Sequence, residues 1–494
     1  MSTVTIQQQD FAVQEKFIKE LYNSYCEQSR RRGYPFTYSI RTYGCQLNES
    51  DSEKISGYLK KISFSPAVTD DADLVIFNTC SVREHAQDRL FGNLGLIKAA
   101  KRKNPSMIVA VCGCMMKQTD NVEKIKKSFP FVDLVFGPQD IHRIPEFLHR
   151  LHFSERKIYD VSEIDYIADD LDMPIDRSRK FRALVPIMYG CNKFCTFCIV
   201  PYTRGRERSR SSKSILLEIQ TLIDEGYKEI MLLGQNVNSY GLDRTDDMSF
   251  LELLTAIAKL PGMYRIRFMT SHPRDMSFEV IDVMAAHPNI ERHLHLPVQS
   301  GSDDVLKRMN RKYTREEFLS LVKYYREKIP DGTLSTDIIV GFPGETEEDF
   351  KQTLSLTSEA AFDSAFTFQY SIRPGTPAAS MPDQVPSEIV SERFQRLLDL
   401  QNDNCYQSNL SVVDKVEEVL IEGRSDTSEN IFSARTSSNR LVNFSIPDGK
   451  ILPWGDVFSS DKTIDGSRLE GKTALVRLTR ARPYSLAGEL EHFL

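Results

Sequence analysis

The sequence predicts an α/β protein in three parts: an N-terminal domain on a parallel sheet, a partial or full βα barrel, and a small C-terminal β-barrel. Three observations carry this. Apolar strand-like runs alternate with helical segments three times between residues 35 and 150. From Phe181 to about residue 370 the alternation repeats six times. After about residue 412 it gives way to two-residue alternation broken by frequent turns. Alternating strand and helix implies a parallel sheet, whereas period-two patterning between turns implies antiparallel strands. A chain of 494 residues fits about three domains at roughly 150 residues each.

Taken in order, residues 1–34 read as a leader. Phe11 to Ser29 is amphipathic and predicted helical, ending at Arg30-Arg31-Arg32-Gly33. A basic triplet is ordinarily a solvated helix end, with RNA contact the alternative. Residues 35–150 form the first α/β domain, with strands at Phe36–Tyr43, Ala72–Phe77 and Met107–Val111. Helices follow at Glu49–Leu59, Val82–Ala99 and Asn121–Ser128. Residues 151–180, with Asp165, Asp169, Asp170 and Asp172, read as a solvated linker. Residues 181–411 form the barrel, its strands at Ala183–Tyr189, Glu229–Leu233, Arg265–Met269, His293–Pro297, Thr333–Val340 and Phe366–Tyr370. The helices between them are Ser214–Glu225, Phe250–Leu260, Phe278–Ala286, Arg315–Lys328 and Glu347–Ala361. Residues 412–490 read as a small antiparallel barrel, with alternation at Lys415–Gly423 and Thr473–Leu478.

Composition narrows the function. Hydrophobic residues make up 40% and charged residues 27% of the chain, enough for several packed cores. A net charge of −6 excludes a globally basic nucleic-acid coat, so any RNA contact must use local patches. Mean hydropathy is −0.36, and no apolar run approaches the roughly 18 residues of a membrane helix. The polar stretch Met1 to Phe11 is unlike a signal peptide. Nine cysteines are too few for a disulfide scaffold. A cytoplasmic protein with reduced thiols is expected.

The cysteines carry the chemistry. Cys191, Cys195 and Cys198 stand as C-x3-C-x2-C, with no fourth Cys or His before His272. A structural zinc site takes four ligands. Three thiolates without a fourth suit a cubane iron–sulfur cluster with one iron left open. Zinc with a distant fourth ligand and incidental core thiols are the alternatives. Cys45, Cys80 and Cys114 are scattered, yet each follows a predicted strand and precedes a helix. In parallel sheets the carboxyl ends of the strands share one edge, where ligands bind. The pattern alone therefore brings these three cysteines to one site, against the alternative of buried thiols in turns. Cys112 ends an apolar strand and is expected to point away, while Cys26 and Cys405 read as structural.

The string Gly190-Cys191-Asn192-Lys193-Phe194-Cys195-Thr196-Phe197-Cys198-Ile199-Val200-Pro201-Tyr202-Thr203-Arg204-Gly205-Arg206-Glu207 resembles the signature of radical S-adenosylmethionine (SAM) enzymes, in their methylthiotransferase branch. Tyr43-Gly44-Cys45-Gln46-Leu47-Asn48, Asn78-Thr79-Cys80-Ser81-Val82-Arg83 and Gly113-Cys114-Met115 resemble the cysteine motifs of that family's N-terminal domain. The likeness spans roughly residues 35–490. It implies two [4Fe-4S] clusters, one on Cys191, Cys195 and Cys198, the other on Cys45, Cys80 and Cys114, with Cys114 favoured over Cys112. It also implies two SAM per turnover, a low-potential electron donor such as flavodoxin or ferredoxin, and a C-terminal TRAM domain, which is OB-like and binds RNA. Thr203–Glu207 and Gly234–Tyr240 favour the branch that converts N6-isopentenyladenosine at position 37 of tRNA to its 2-methylthio form. Sister enzymes act on threonylcarbamoyladenosine in tRNA or on a ribosomal protein. A non-catalytic iron–sulfur or zinc RNA-binding protein is the reading of another class.

Further site residues follow. Phe197, before the last cysteine, and Gly234-Gln235, after the second barrel strand, are implied to contact SAM, the pair standing where the superfamily often has Gly-Gly-Glu. Gln299, after the fourth strand, is a candidate for ribose or substrate hydroxyls. His272 reads as a hydrogen-bonded structural histidine, with a proton carrier the alternative, and Gly341–Thr346 as a turn with a helix cap or a ligand loop. Arg204, Arg206, Arg208 and Arg210 stand beside the cysteine loop as candidate phosphate contacts. Arg477, Arg480 and Arg482 with Tyr484 suit single-stranded RNA. No Ser/His/Asp set or carboxylate pair is needed, because such cofactors bring the reaction's hard step with them. The sequence carries no signal of oligomeric state, and a monomer is the simplest reading.

Overall fold

The computed structural model describes residues 3–5, 8–67, 71–81, 84–162, 165–167, 173–425, 428, 430–459 and 465–494. Val82 and Arg83 of the second cysteine motif, and linker residues Asp169, Asp170 and Asp172, lie outside the described residues.

The N-terminal sheet has six strands, in spatial order Phe64–Pro66, Phe36–Tyr43, Leu74–Thr79, Ile108–Gly113, Leu134–Phe136 and Ile158–Asp160. Every neighbouring pair is parallel. Leu74–Thr79 is buried throughout, because helices cover both faces of the sheet. Ile55, Tyr58, Phe147 and Leu148 pack on one side, and Leu90, Leu94, Ile97 and Ile125 on the other. Burial on both faces is what makes the strand read as one continuous apolar run.

Two boundaries differ from the sequence expectation. The first helix, Gln8–Arg32, is not a free leader. Its Ile18, Leu21 and Tyr25 are buried in the same core as Tyr58 and Phe147, and Arg32 pairs with Asp73 at 2.9 Å. Nor is the stretch from residue 151 a solvated linker from its start, because helix Ile144–Phe153 and strand Ile158–Asp160 complete the N-terminal sheet. Asp165–Ile167 pairs in parallel with Thr3–Thr5. Strands of three residues show no periodicity, which is why the sequence hides them.

The barrel is partial. Arg182–Pro186, Glu229–Leu233 and Arg265–Phe268 form one parallel sheet. His293–His295, Thr333–Val340 and Ser364–Gln369 form a second. Among the described residues one isolated bridge, Ile266 to Ile290, links the edge of the first sheet to the chain just before His293–His295. Among the described residues no pairing closes the gap between Arg182–Pro186 and Ser364–Gln369. Ile230, Leu232, Ile266, Leu334, Ile338 and Val340 face the surrounding helices in one core.

The C-terminal domain is a closed five-stranded barrel of Val416–Arg424, Ile431–Thr436, Leu441–Ser445, Ser485–Phe493 and Thr473–Arg482. The expected all-antiparallel pairing fails at one seam, where Leu441–Ser445 and Ser485–Phe493 run parallel. The hairpin of the last two strands spends its first arm on Val416–Arg424, so its second arm meets Leu441–Ser445 running the same way. This domain covers the barrel floor. Arg265 reaches Glu418 at 2.6 Å and Arg182 reaches Glu422 at 3.3 Å. Just inside, buried Arg267 holds Glu229 and Glu291 at 3.2 and 3.0 Å. The carboxyl ends of the barrel strands, where barrel enzymes carry their chemistry, face the N-terminal domain instead.

Candidate active site at the domain junction

Cys45, Cys80 and Cys114 follow three adjacent strands, Phe36–Tyr43, Leu74–Thr79 and Ile108–Gly113, and so share one sheet edge. Cys45 is the N-cap of helix Gln46–Lys61, and Cys114 opens a 3-10 turn to Lys117. Close approach depends on Gly44: at φ +147, a β-carbon there would stand 2.5 Å from that of Cys80. The hydrogen bond from Cys80 brings the Cys45 thiol down to about 6, with Arg204 adding to the effect and burial opposing it. The helix N-terminus acts in the same direction. Burial pushes Cys114 up to about 11. Cys112 is buried among Tyr38, Leu74 and Phe136 in the apolar core beneath, away from the edge.

The second trio lies on the loop after Arg182–Pro186. Gly190 starts it at φ +75, where a β-carbon would meet the Arg206 carbonyl at 1.9 Å, so no other residue fits. Phe194 also has positive φ, and Asn310 Nδ2 donates to its carbonyl at 3.0 Å. Burial pushes Cys191 and Cys198 each up to about 12. Arg311 Nη1 donates to Cys195 Sγ at 3.4 Å, while its Nη2 donates to the Pro297 carbonyl at 2.7 Å. Phe197 packs on Val305, Met309 and Phe342. Among the described residues no three Cys, His, Asp or Glu side chains form a set for a single metal ion. Each trio supplies three thiols from one sheet edge or one loop, with an arginine donating to one sulfur, Arg204 to Cys114 and Arg311 to Cys195. That donor set fits clusters whose thiolates carry net negative charge and leave one iron open.

The segments flanking the cysteine loop meet the N-terminal trio's edge at the junction of the domains. Arg204 Nε donates to Cys114 Sγ at 2.8 Å, and its Nη2 donates to Asp51 Oδ2 at 2.7 Å. Ser81 Oγ donates to Thr203 Oγ1 at 3.3 Å, and Lys54 Nζ to the Tyr189 hydroxyl at 2.9 Å. Leu47 packs with Leu184, Met231 and Leu233 on the inner barrel wall. This corrects the expectation that Arg204 and Arg208 contact RNA. Both are buried, and Arg208 donates to the Arg206 and Arg204 carbonyls at 2.9 and 3.1 Å. Arg210 is fully buried on Glu218 at 2.9 Å. Of the four arginines only Arg206 is exposed, its guanidinium 4.3 Å from the centre of the Phe194 ring. Arg477, Arg480, Arg482 and Tyr484 are exposed on one hairpin, with Arg477 paired to Glu491 at 2.6 Å.

The loops at the other barrel strand ends present unsatisfied polar atoms. Gln235 Oε1, Asn236 Oδ1, Ser271 Oγ and His272 Nε2 are buried without a partner among the described residues. Orphaned groups of this kind mark a place for a polar ligand. His272 Nδ1 accepts from the Arg274 amide at 3.2 Å, and burial drives its pKa far down, so the ring is neutral. Asp275 ties the set to the cysteine loop through Lys193 at 2.5 Å and Asn236 at 2.7 Å. Gly234 packs directly on Met188. Thr270 and Gln299 both hold positive φ, at +67 and +70, and strain of this kind collects at ligand loops. Gln299 is buried, with its amide donating to the Asp337 carbonyl at 2.8 Å. Gly341–Thr346 ends as a capping box of Thr346 and Asp349, which favours the turn-and-cap reading.

The partial barrel and its cysteine loop define a radical SAM protein: residues 185–357 match the radical SAM superfamily. Residues 37–137 match a family described as uncharacterized protein family UPF0004. A radical SAM methyltransferase from Kitasatospora setae, TsrM, shares the fold at TM-score 0.50 and 13% identity, over 69% of this chain and 75% of that one. The tRNA-2-methylthio-N(6)-dimethylallyladenosine synthase of Clostridium botulinum strain Hall is 48% identical over 453 residues, 92% of this chain and 96% of the relative. The enzyme of that name from Acetivibrio thermocellus is 46% identical over 99% of this chain and 98% of its own length. This chain belongs to the family of tRNA-2-methylthio-N(6)-dimethylallyladenosine synthases.

Sequence reasoning missed Asp51 and Arg311. Asp51 sits on the helix that Cys45 caps, 153 residues from its partner Arg204. Arg311 is 116 residues from Cys195. Neither separation leaves a local signal. Asn48 was within reach, because it is three residues into that helix, the usual return position for a cap. Cys45 Sγ donates to its Oδ1 at 3.3 Å, and its Nδ2 donates to Asn78 Oδ1 at 3.0 Å.

Proposed function

We propose that this chain is a radical SAM methylthiotransferase that converts N6-dimethylallyladenosine at position 37 of tRNA to its 2-methylthio derivative. In this reading one [4Fe-4S] cluster rests on Cys191, Cys195 and Cys198, a second on Cys45, Cys80 and Cys114, and two SAM are used per turnover. A cytoplasmic low-potential donor such as flavodoxin or ferredoxin supplies electrons. The observation that carries the reading is the junction itself: Arg204, six residues beyond Cys198, donates to Cys114 Sγ at 2.8 Å.

When bound, the clusters and SAM supply carbon–sulfur cleavage, hydrogen-atom chemistry at unactivated carbon and an iron site for sulfur. The chain's own residues do the rest. Arg204 and Arg311 each donate to one sulfur, opposing thiolate charge and fixing the loop that carries it. Gln235, Asn236 and Ser271 offer the polar atoms that SAM's amino-acid and ribose groups require. With Nδ1 accepting the hydrogen bond of the Arg274 amide, neutral His272 carries its proton on Nε2 and can donate a hydrogen bond there to a bound ligand. Leu47 against Leu184, Met231 and Leu233 seals one wall from water. Exposed Arg206, Arg477 and Arg480 meet phosphates, and Tyr484 offers a stacking face.

Mass spectrometry of tRNA nucleosides from cells lacking the gene tests this. The expected result is loss of methylthio-dimethylallyladenosine and accumulation of its precursor, restored by the intact gene and not by Cys191→Ala. An unchanged nucleoside profile overturns the substrate assignment.

A further inference from the structure

On strand Thr333–Val340, Leu334, Ile338 and Val340 face the helices, so Ser335, Asp337 and Ile339 face the barrel lumen. Phe366 is in register with Asp337, and Phe368 with Ile339, so both rings share that inner face. The Phe366 ring lies 5.9 Å from that of buried His295, whose Nε2 is 3.6 Å from Asp337 Oδ1. Yet Phe366 and Phe368 are 49% and 46% exposed. The opposite wall of the lumen is covered by Leu47, while this one borders the gap between the two edge strands. Two residues further on, Tyr370 packs in one cluster with Phe197, which adjoins Cys198. The exposed rings therefore sit just below the cysteine loop.

We propose that Phe366 and Phe368 form the surface that takes the five-carbon dimethylallyl chain of the target adenosine, making them specificity-determining residues that admit prenylated RNA and pass over the bare base. The assignment rests on the function proposed above. Its chemistry is simple. The chain is apolar, two adjacent aromatic rings on a lumen wall are left uncovered, and the polar end of the substrate has Asp337 within the same layer. Such a surface rewards the chain by burial and gives nothing to adenosine lacking it.

The test is binding, by fluorescence anisotropy of the anaerobic holoenzyme with anticodon stem-loops that differ only in the dimethylallyl group. The wild type is expected to prefer the prenylated loop by roughly tenfold or more. In Phe366→Ala/Phe368→Ala that preference should fall below about threefold, with affinity for the bare loop unchanged, since shape and phosphate contacts are untouched. Phe368→Gln alone, whose side chain is half in solvent, serves if the double variant does not fold, and should lose part of the preference. A wild type without preference counts against the substrate reading itself. A wild-type preference retained in the variants overturns this assignment alone, and so does equal weakening toward both loops, which would put the base rather than the prenyl chain on the rings.

Discussion

Arg204 is a good place to perturb, because its side chain is 6% and that of Asp51 4% exposed, and their charges meet at 2.7 Å across two domains. Removing one partner of a buried pair strands the other charge and costs about 3–5 kcal/mol, whereas replacing both by apolar groups of similar size is close to neutral. Arg204→Met is therefore expected to destabilise the junction by about 3–5 kcal/mol, with Arg204→Met/Asp51→Leu recovering most of it. Arg204→Lys should recover less, because an ammonium cannot hold the carboxylate and Cys114 in the same fork. The assay is hydrogen exchange in helix Gln46–Lys61 of the iron-free, reduced protein, at low and high salt. The loss should be insensitive to salt, since buried pairs are little screened. A cost for Arg204→Met below about 1 kcal/mol, or a double variant as damaged as the two single changes added together, would refute the argument.

Three other outcomes are expected. Cys112→Ser should keep the iron of two clusters, while Cys114→Ser loses one; equal iron in the two purified variants sinks that assignment. Arg206→Ala should weaken tRNA binding and lower its salt slope by about one, with cluster content intact, and unchanged affinity across salt counts against it. His142 is buried, and that burial brings its pKa from 6.5 down to about 4, so the fold favours the neutral ring. Its contribution is complete above pH 6.5 and is lost as pH falls toward 4, amounting to about 2 kcal/mol by pH 5. His142→Asn should flatten that acid limb in urea melts; an unchanged limb refutes it.

Much of the site is legible in the sequence because its chemistry is local. C-x3-C-x2-C declares three thiols on one loop. The recurrence of a cysteine after each of three strands declares a shared edge, since parallel strands must end on the same side. Strands Glu229–Leu233 and Thr333–Val340 and helices Phe278–Ala286 and Arg315–Lys328 appear where the pattern puts them, because each is long enough to show its period. Short strands such as Leu134–Phe136 are not.

What only the tertiary structure decided is which charges face inward. Four arginines in seven residues look alike as a basic loop, yet one meets solvent and three are buried, one of them bonded to a cysteine of another domain. The exposure of Phe366 and Phe368 has the same origin. The sequence shows Phe366–Tyr370 as an apolar barrel strand, and only the unclosed gap beside that strand leaves Phe366 and Phe368 uncovered. Local pattern fixes the period of an element and the chemistry of its loops. The neighbours that tie Arg204 to Asp51 and Arg311 to Cys195 come from chain more than a hundred residues away, and no window of sequence contains them.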